Sequence, residues 1–392
     1  MAYLTRREWL KAATALAVAG QVQPAFSQAG IVAPEPPYLP WVNMVADGLH
    51  LTPIEQANRI QQIAGRKNFM PDEYSLGGVV TELEVAFAGL LGKETAVFMP
   101  TGTLANHLAV RALASEKRGP GVRVLVPGTS HLYNDTGDCL TTLSGLNMIP
   151  LGQDSATFTR AEVEAECRRS GGGRVATQPG VLVIESPVRR RSGELFDPEE
   201  LHQVTAFARS NGMGLHLDGA RLLIASAYTG IAPAALAAPF DTVYVSLYKG
   251  LNAPSGAILA GPHRLLEGMF HARRMFGSGL PEAWPFAASA LEDLPGFVER
   301  MQAAVATSEH VYGFLERDGF TLRRVPRGTN IAFLDLGSVD ASKVQKNLAA
   351  SRVRVGTLPG AARELKLLVN ESWSRREPQE LARTLAEALR RA

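Results

Sequence analysis

The feature that most narrows what this chain can fold into is a series of short, almost wholly apolar runs separated by stretches with helical spacing. The runs are Ala96–Met99, Arg123–Val126, Val181–Ile184, Gly214–Leu217, Thr242–Ser246 and Ala257–Ala260. Strands apolar on successive positions are covered on both faces, so the pattern predicts a mainly parallel α/β sheet. The intervening helices carry their own signals. Asp197-Pro198-Glu199-Glu200 supplies an N-cap, a proline at the first helical position and an early glutamate, and Leu201, Val204 and Ala208 follow at helical spacing. Asn211-Gly212 then predicts the stop. In sheets of this kind ligands bind beyond the carboxyl ends of the strands.

Past residue 290 the alternation gives way to a helical stretch, strands expected at Asn330–Leu336 and Leu365–Val369, a helix from about Asp340 and a last helix carrying Leu381, Leu385 and Leu389. This predicts a large domain over 56–290 and a small α+β domain over 291–392. Residues 30–55 are proline-rich and aperiodic, which predicts an extended arm. Residues 1–29 predict a cleavable leader: Arg6-Arg7 precede a short apolar run from Ala12 to Gly20, and Ser27-Gln28-Ala29 ends it in small residues. That run is too short to span a bilayer, so no membrane anchor is expected. The paired arginines look like a twin-arginine signal, implying the twin-arginine export machinery as a partner and a periplasmic or secreted destination.

Loss of that leader removes Arg6, Arg7 and Lys11 against Glu8, taking the formal net charge from +2 to zero. A neutral chain offers no electrostatic case for a nucleic-acid partner. The two cysteines, Cys139 and Cys167, have no metal-ligand spacing, no metal is expected, and two unpaired core thiols are the reading.

Three constellations carry chemistry. Pro100-Thr101-Gly102-Thr103-Leu104-Ala105-Asn106 follows a strand and opens a helix, where small residues and the helix dipole suit a phosphate. His216-Leu217-Asp218-Gly219-Ala220-Arg221 puts Asp218 at a strand end, where a carboxylate can hold a proton on a pyridine nitrogen. Lys249 lies 31 positions after Asp218, just past a buried strand in the run Tyr248-Lys249-Gly250-Leu251-Asn252-Ala253-Pro254. A desolvated lysine there can lose enough basicity to form an imine. Each motif alone also fits a cap, a turn or a solvated loop; their order is what is specific.

With these motifs the chain resembles the threonine aldolase and aromatic amino acid β-eliminating lyase family of fold-type-I pyridoxal-phosphate enzymes, from about Asp72 to Leu294. Glu82-Leu83-Glu84, Leu90-Leu91-Gly92-Lys93-Glu94 and His131 followed by Leu143-Ser144-Gly145 support it. The resemblance implies that Thr101, Gly102 and Thr103 hold the phosphate of pyridoxal 5'-phosphate. It implies that His131 stacks on the ring, Asp218 pairs with the ring nitrogen, Arg221 contacts the phenolic oxygen and Lys249 binds the aldehyde as an imine. Arg273, with Arg274, stands where relatives lend charge to a neighbouring subunit's phosphate, and a homodimer or homotetramer is implied.

The departures fall on the substrate side. Thr136 stands where relatives have a glutamate, and Val188 occupies the region where they carry a histidine. Late in the chain, where relatives have an arginine for the substrate carboxylate, Lys366-Leu367-Leu368-Val369-Asn370 aligns most naturally with a leucine. A one-residue step turns a strand side chain to the other face, which argues against Lys366. Arg189 is therefore the first candidate for the substrate carboxylate, with Arg354 and Lys366 behind it. The implied activity is retro-aldol cleavage of a β-hydroxy-α-amino acid to glycine and an aldehyde. A β-eliminating lyase, or a binding module that keeps only the fold, stays open.

Overall fold

The computed structural model describes residues 41–66, 68–117 and 122–392. The expected leader over 1–29, and the expected arm up to residue 40, lie outside the described residues. Seven strands form the main sheet: β2 (Thr95–Met99), β3 (Arg123–Pro127), β4 (Asn147–Leu151), β5 (Pro179–Glu185), β6 (Gly214–Asp218), β7 (Thr242–Ser246) and β8 (Ala257–Gly261). Their order is β2-β8-β7-β6-β5-β3-β4. Pairs from β4 through β7 are parallel, and only β8 runs against its neighbours β7 and β2. Every residue of β5, β6 and β7 is buried, as continuous apolar runs between two helical layers require.

The strands expected for this sheet are all present, Thr242–Ser246 with the expected bounds and the others with one or both ends one or two residues further out, while the two expected late in the chain appear as Ile331–Asp335 and Glu364–Leu368. β4 is the strand that sequence patterning misses: Asn147-Met148-Ile149-Pro150-Leu151 contains a proline, which a strand tolerates at a sheet edge, and β4 is the edge. The helix Pro198–Ser210 forms as its caps predict, with the Asp197 carboxylate accepting from the Glu199 and Glu200 amides.

A second, three-stranded antiparallel sheet has the order β12-β10-β9, from β9 (Leu322–Arg324), β10 (Ile331–Asp335) and β12 (Glu364–Leu368). The long helix Phe297–Arg317 packs between this sheet's part of the chain and the helix Leu222–Thr229. Its side chains Phe297, Met301, Ala304 and Val311 join one apolar core that also holds Leu222, Leu334 and Leu385. The position at which a boundary was expected, residue 290, falls inside the helix Trp284–Asp293. Of the expected arm, residues 42–43 form a strand, β1 (Val42–Asn43), parallel to β11 (Val353–Arg354), and a helix already begins at Pro53.

The segment after β1 is fastened from far away in sequence. Asn370 donates through Nδ2 to the Asn43 and Ala46 carbonyls at 2.9 and 2.8 Å, and Leu368 N donates to Met44 O at 3.3 Å. Both cysteines are free thiols, Cys139 buried and Cys167 half-buried. No helix among the described residues is long and apolar enough to cross a membrane, and no group of three metal-binding side chains occurs among them. Asn370→Ala removes the buried donor to two carbonyls, each costing about 1–3 kcal/mol when left unpaired. Urea denaturation is expected to show a loss of that order, with the midpoint moved to lower urea.

Candidate active site

The carboxyl ends of β5, β6 and β7 face a cavity of about 420 Å³ whose opposite wall comes from the three-stranded sheet and the segment after β1. Lys249, Asp218, Arg221 and His131 all line it, so four of the residues singled out for chemistry meet in one place, while Thr101, Gly102 and Thr103 are not among its lining residues.

Asp218 ends β6 and is buried, with Oδ2 accepting from Asn106 Nδ2 at 2.6 Å and Oδ1 from the Ala220 amide at 3.2 Å. Behind it runs a fully enclosed chain. His216 Nε2 meets Asn106 Oδ1 at 2.8 Å, and His216 Nδ1 meets Thr242 Oγ1 at 2.8 Å. Because the Asn106 amide nitrogen is spent on Asp218, its oxygen must accept, so His216 carries its proton on Nε2 and Thr242 donates to Nδ1. Burial pushes the His216 pKa down to about 4, so the ring is neutral at pH 7.

Lys249 follows β7. Burial, with Arg221 repelling nearby, holds its amine below the usual lysine range. The Arg221 guanidinium sits against the Asp47 carboxylate, Nε to Oδ2 at 3.0 Å and Nη2 to Oδ2 at 2.8 Å. Burial would raise the Asp47 pKa, but Arg221 and a 3.0 Å hydrogen bond from Asn330 hold it low.

His131 opens a short helix, its amide donating to Glu185 Oε2 at 2.5 Å and its Nδ1 lying 3.4 Å from Asp135. Glu185 ends β5, beside Asp218 in register, and its Oε1 accepts from the Arg189 amide at 2.8 Å. One buried carboxylate thus fastens the His131 loop and the Arg189 loop together. Burial, and then the Asp218 charge, push Glu185 up to about 7.

The Thr101 hydroxyl caps the helix Gly102–Ser115 by accepting from Leu104 N at 3.2 Å, which leaves first-turn amides at Gly102 and Thr103 for an anion. A Cβ on Gly102 would collide with the Tyr244 hydroxyl, so only glycine permits this approach. Ser246 Oγ is buried beside Tyr244 with no partner in hydrogen-bonding geometry. It lies level with Met99, since both residues pair with Ala257. A buried serine hydroxyl beside Tyr244, a close-packed glycine turn and a helix N-terminus fit a phosphate. Asp218 and Lys249 fit the ring nitrogen and the aldehyde of pyridoxal phosphate.

Other expected positions land differently. Arg273 is buried, donating to the Phe98, Tyr74 and Ser75 carbonyls with its Nε left unpaired, and it stands outside the lining of its own chain's cavity, as a residue serving a neighbouring subunit would. Arg354 donates to His50 O and stacks on Trp41, also away from the cavity. Arg189 does line it, exposed by about half, with Nη1 at 3.2 Å from Asp135. Lys366 corrects the sequence argument. Leu365 and Leu367 are the residues that turn into the core, so the cavity face of β12 is that of Lys366 and Leu368. The Thr136 hydroxyl donates back to Leu132 O in the preceding helix, and Val188 is wholly buried, so neither offers an acid or base. Asp47, Glu185, Asn330 and the pairing roles of Asn106 and His216 escaped the sequence reading. Asn106 and His216 stood in the quoted motifs, whereas Asp47 had no local signal.

A family model described as beta-eliminating lyase matches residues 67–337. The chain belongs to the beta-eliminating lyase family. Membership implies pyridoxal 5'-phosphate as cofactor and makes the protein a lyase. Among similar proteins, low-specificity L-threonine aldolase 1 of Arabidopsis thaliana is 28% identical over 274 residues, 68% of this chain and 75% of the relative. Aldolase vrtJ of Penicillium aethiopicum is 31% identical over 279 residues, 69% of this chain and 68% of the relative. A solved structure from Exiguobacterium, assigned as an aromatic amino acid beta-eliminating lyase/threonine aldolase, superposes with a TM-score of 0.74 at 24% identity, covering 90% of this chain and 98% of that one. At that identity the superposition speaks for the fold, a fold-type-I one.

Glu185 gives the site a pH dependence. Its folded pKa of about 7 lies above the ordinary 4.5, so the folded state holds the proton more tightly. That contribution to stability is complete below pH 4.5 and is lost as pH rises through 7. Urea denaturation between pH 4.5 and 8 is expected to show a fall with pH that is shallower in Glu185→Gln, even though the amide leaves one loop N–H unpaired.

Proposed function

We propose that this family member is a threonine-aldolase-type lyase, cleaving a β-hydroxy-α-amino acid to glycine and an aldehyde. The observation that carries the reading is the convergence of a desolvated Lys249 amine and the strand-end Asp218 on one cavity with His131 above them. The names of the aldolases in plants and fungi support the same reaction.

When bound, pyridoxal phosphate supplies an electron sink joined to the substrate's Cα. The chain does the rest. Lys249 holds the aldehyde carbon. Asp218, kept in place by Asn106 and the Ala220 amide, faces the ring nitrogen and favours its protonated form. His131 covers the ring, and Thr101, Gly102 and Thr103 with Ser246 hold the phosphate. Arg221, paired to Asp47, contacts the phenolic oxygen. Lys366, on the cavity face of β12, takes the substrate's α-carboxylate, with Arg189 beside it. Burial, then Arg221, lower the hold of the Lys249 amine on its own proton, so a free Lys249 amine can take the β-hydroxyl proton and return one to Cα.

A second reading is β-elimination, favoured by the inert Thr136 and Val188 where an acid or base would assist the hydroxyl. We further propose export through a twin-arginine leader, supported by Arg6-Arg7 and the short apolar run after them. Assembly into at least a dimer is supported by exposed apolar side chains at Met70, Tyr74, Leu76 and Met275.

Incubating holoenzyme with threonine and phenylserine and assaying aldehyde against ammonia decides between the reactions. Aldehyde with glycine is expected; ammonia with an oxo acid instead would replace the aldolase reading. Lys249→Ala is expected to lose the yellow imine absorbance and all turnover. Asp218→Asn is expected to keep the fold and lower kcat by about 10²–10³, the loss of an oriented electrostatic partner.

A further inference from the structure

The cavity holds more positive charge than one α-carboxylate can answer. Of its carboxylates, Asp47 is consumed by Arg221, Glu185 by the His131 and Arg189 amides, and Asp218 by Asn106 and the Ala220 amide. Lys366 lines the cavity from the exposed side of β12, within reach of the Asp47 charge that Arg221 already engages, and no carboxylate forms an ion pair with it among the described residues. Arg189 has only a share of Asp135, whose closer partner is Arg190 at 2.8 Å and which also meets His131. Lys366 and Arg189 lie near enough for the arginine's charge to weaken the lysine's basicity. Two cations drawn together at a cavity wall are unfavourable unless an anion comes between them.

We propose that the substrate carries a second acidic group: a β-hydroxy-α-amino dicarboxylic acid, of which 3-hydroxyaspartate is the smallest. The α-carboxylate goes to Lys366 beside Arg221, and the distal carboxylate goes to Arg189. The Glu185 bond to the Arg189 amide fixes where that loop presents its guanidinium, and Arg190 draws Asp135 away from it. A bidentate guanidinium is suited to a planar carboxylate. The reaction balances without an oxidant. The Cα–Cβ bond breaks with its electron pair left on Cα, the β-hydroxyl proton leaves as the carbonyl forms, and a proton returns to Cα. 3-Hydroxyaspartate gives glycine and glyoxylate.

This rests on the aldolase reading, so the test separates the two. Holoenzyme is assayed for aldehyde release from both diastereomers of 3-hydroxyaspartate and from threonine. In parallel, aspartate and alanine, which have no hydroxyl to cleave, are titrated by the change in cofactor absorbance. The expected result is kcat/KM at least about tenfold higher for 3-hydroxyaspartate and aspartate binding at least about tenfold tighter than alanine, the scale of one oriented ion pair. Arg189→Met is expected to remove most of the aspartate-over-alanine ratio and Arg189→Lys to restore part of it. Equal binding of aspartate and alanine, or an unchanged ratio in Arg189→Met, overturns the dicarboxylate proposal even if threonine is cleaved. An aspartate preference lost in Arg189→Met, with no aldehyde from any substrate, upholds the second anion site and overturns the aldolase reading instead.

Discussion

The structure turns on a buried hydrogen-bond chain, Thr242 to His216 to Asn106 to Asp218. Each link is 2.6–2.8 Å long, and Thr242, His216 and Asn106 are wholly enclosed while Asp218 meets the cavity. It joins β7, β6 and the helix that follows the phosphate turn, so the position of the ring-nitrogen partner is set by the same residues that set the sheet's neighbours. The direction of every proton in it is forced, beginning with the Asn106 amide. A buried carboxylate held this way cannot rotate to suit a different partner.

Glu185 imposes a second constraint. Two loops that carry unrelated duties, one covering the cofactor ring and one meeting the substrate, hang from the two oxygens of a single side chain. Their spacing is therefore a property of β5, not of either loop. That Glu185 stands in register beside Asp218 places two acids side by side at the strand ends, and burial, with the Asp218 charge added to it, raises the Glu185 pKa. The phosphate turn, by contrast, depends on the absence of a side chain at Gly102, with Tyr244 filling the room a Cβ would need.

What was legible in the sequence was local. Continuous apolar runs marked β5, β6 and β7 because both faces are covered, and Asp197-Pro198 marked a helix start because capping is settled within four residues. Asp218 and Lys249 were legible because strand ends and the turns after them have their own chemistry. Edge strand β4 was not, since Pro150 reads as a turn until the sheet's order is known. Asp47 was hidden for a different reason: its partners Arg221 and Asn330 are 174 and 283 positions away. Lys366 was misjudged because an alignment one residue off reverses the face of a strand, and the burial of Leu365 and Leu367 is what fixes that face.

The fastening of the segment after β1 has a consequence for how the pocket comes into being. Asp47 accepts from Asn330, and the backbone just before it accepts from Asn370, so this wall of the pocket is held by residues made late in the chain. A nick near that late asparagine would loosen the wall built from the earliest described residues, although the cut lies more than three hundred positions away from it.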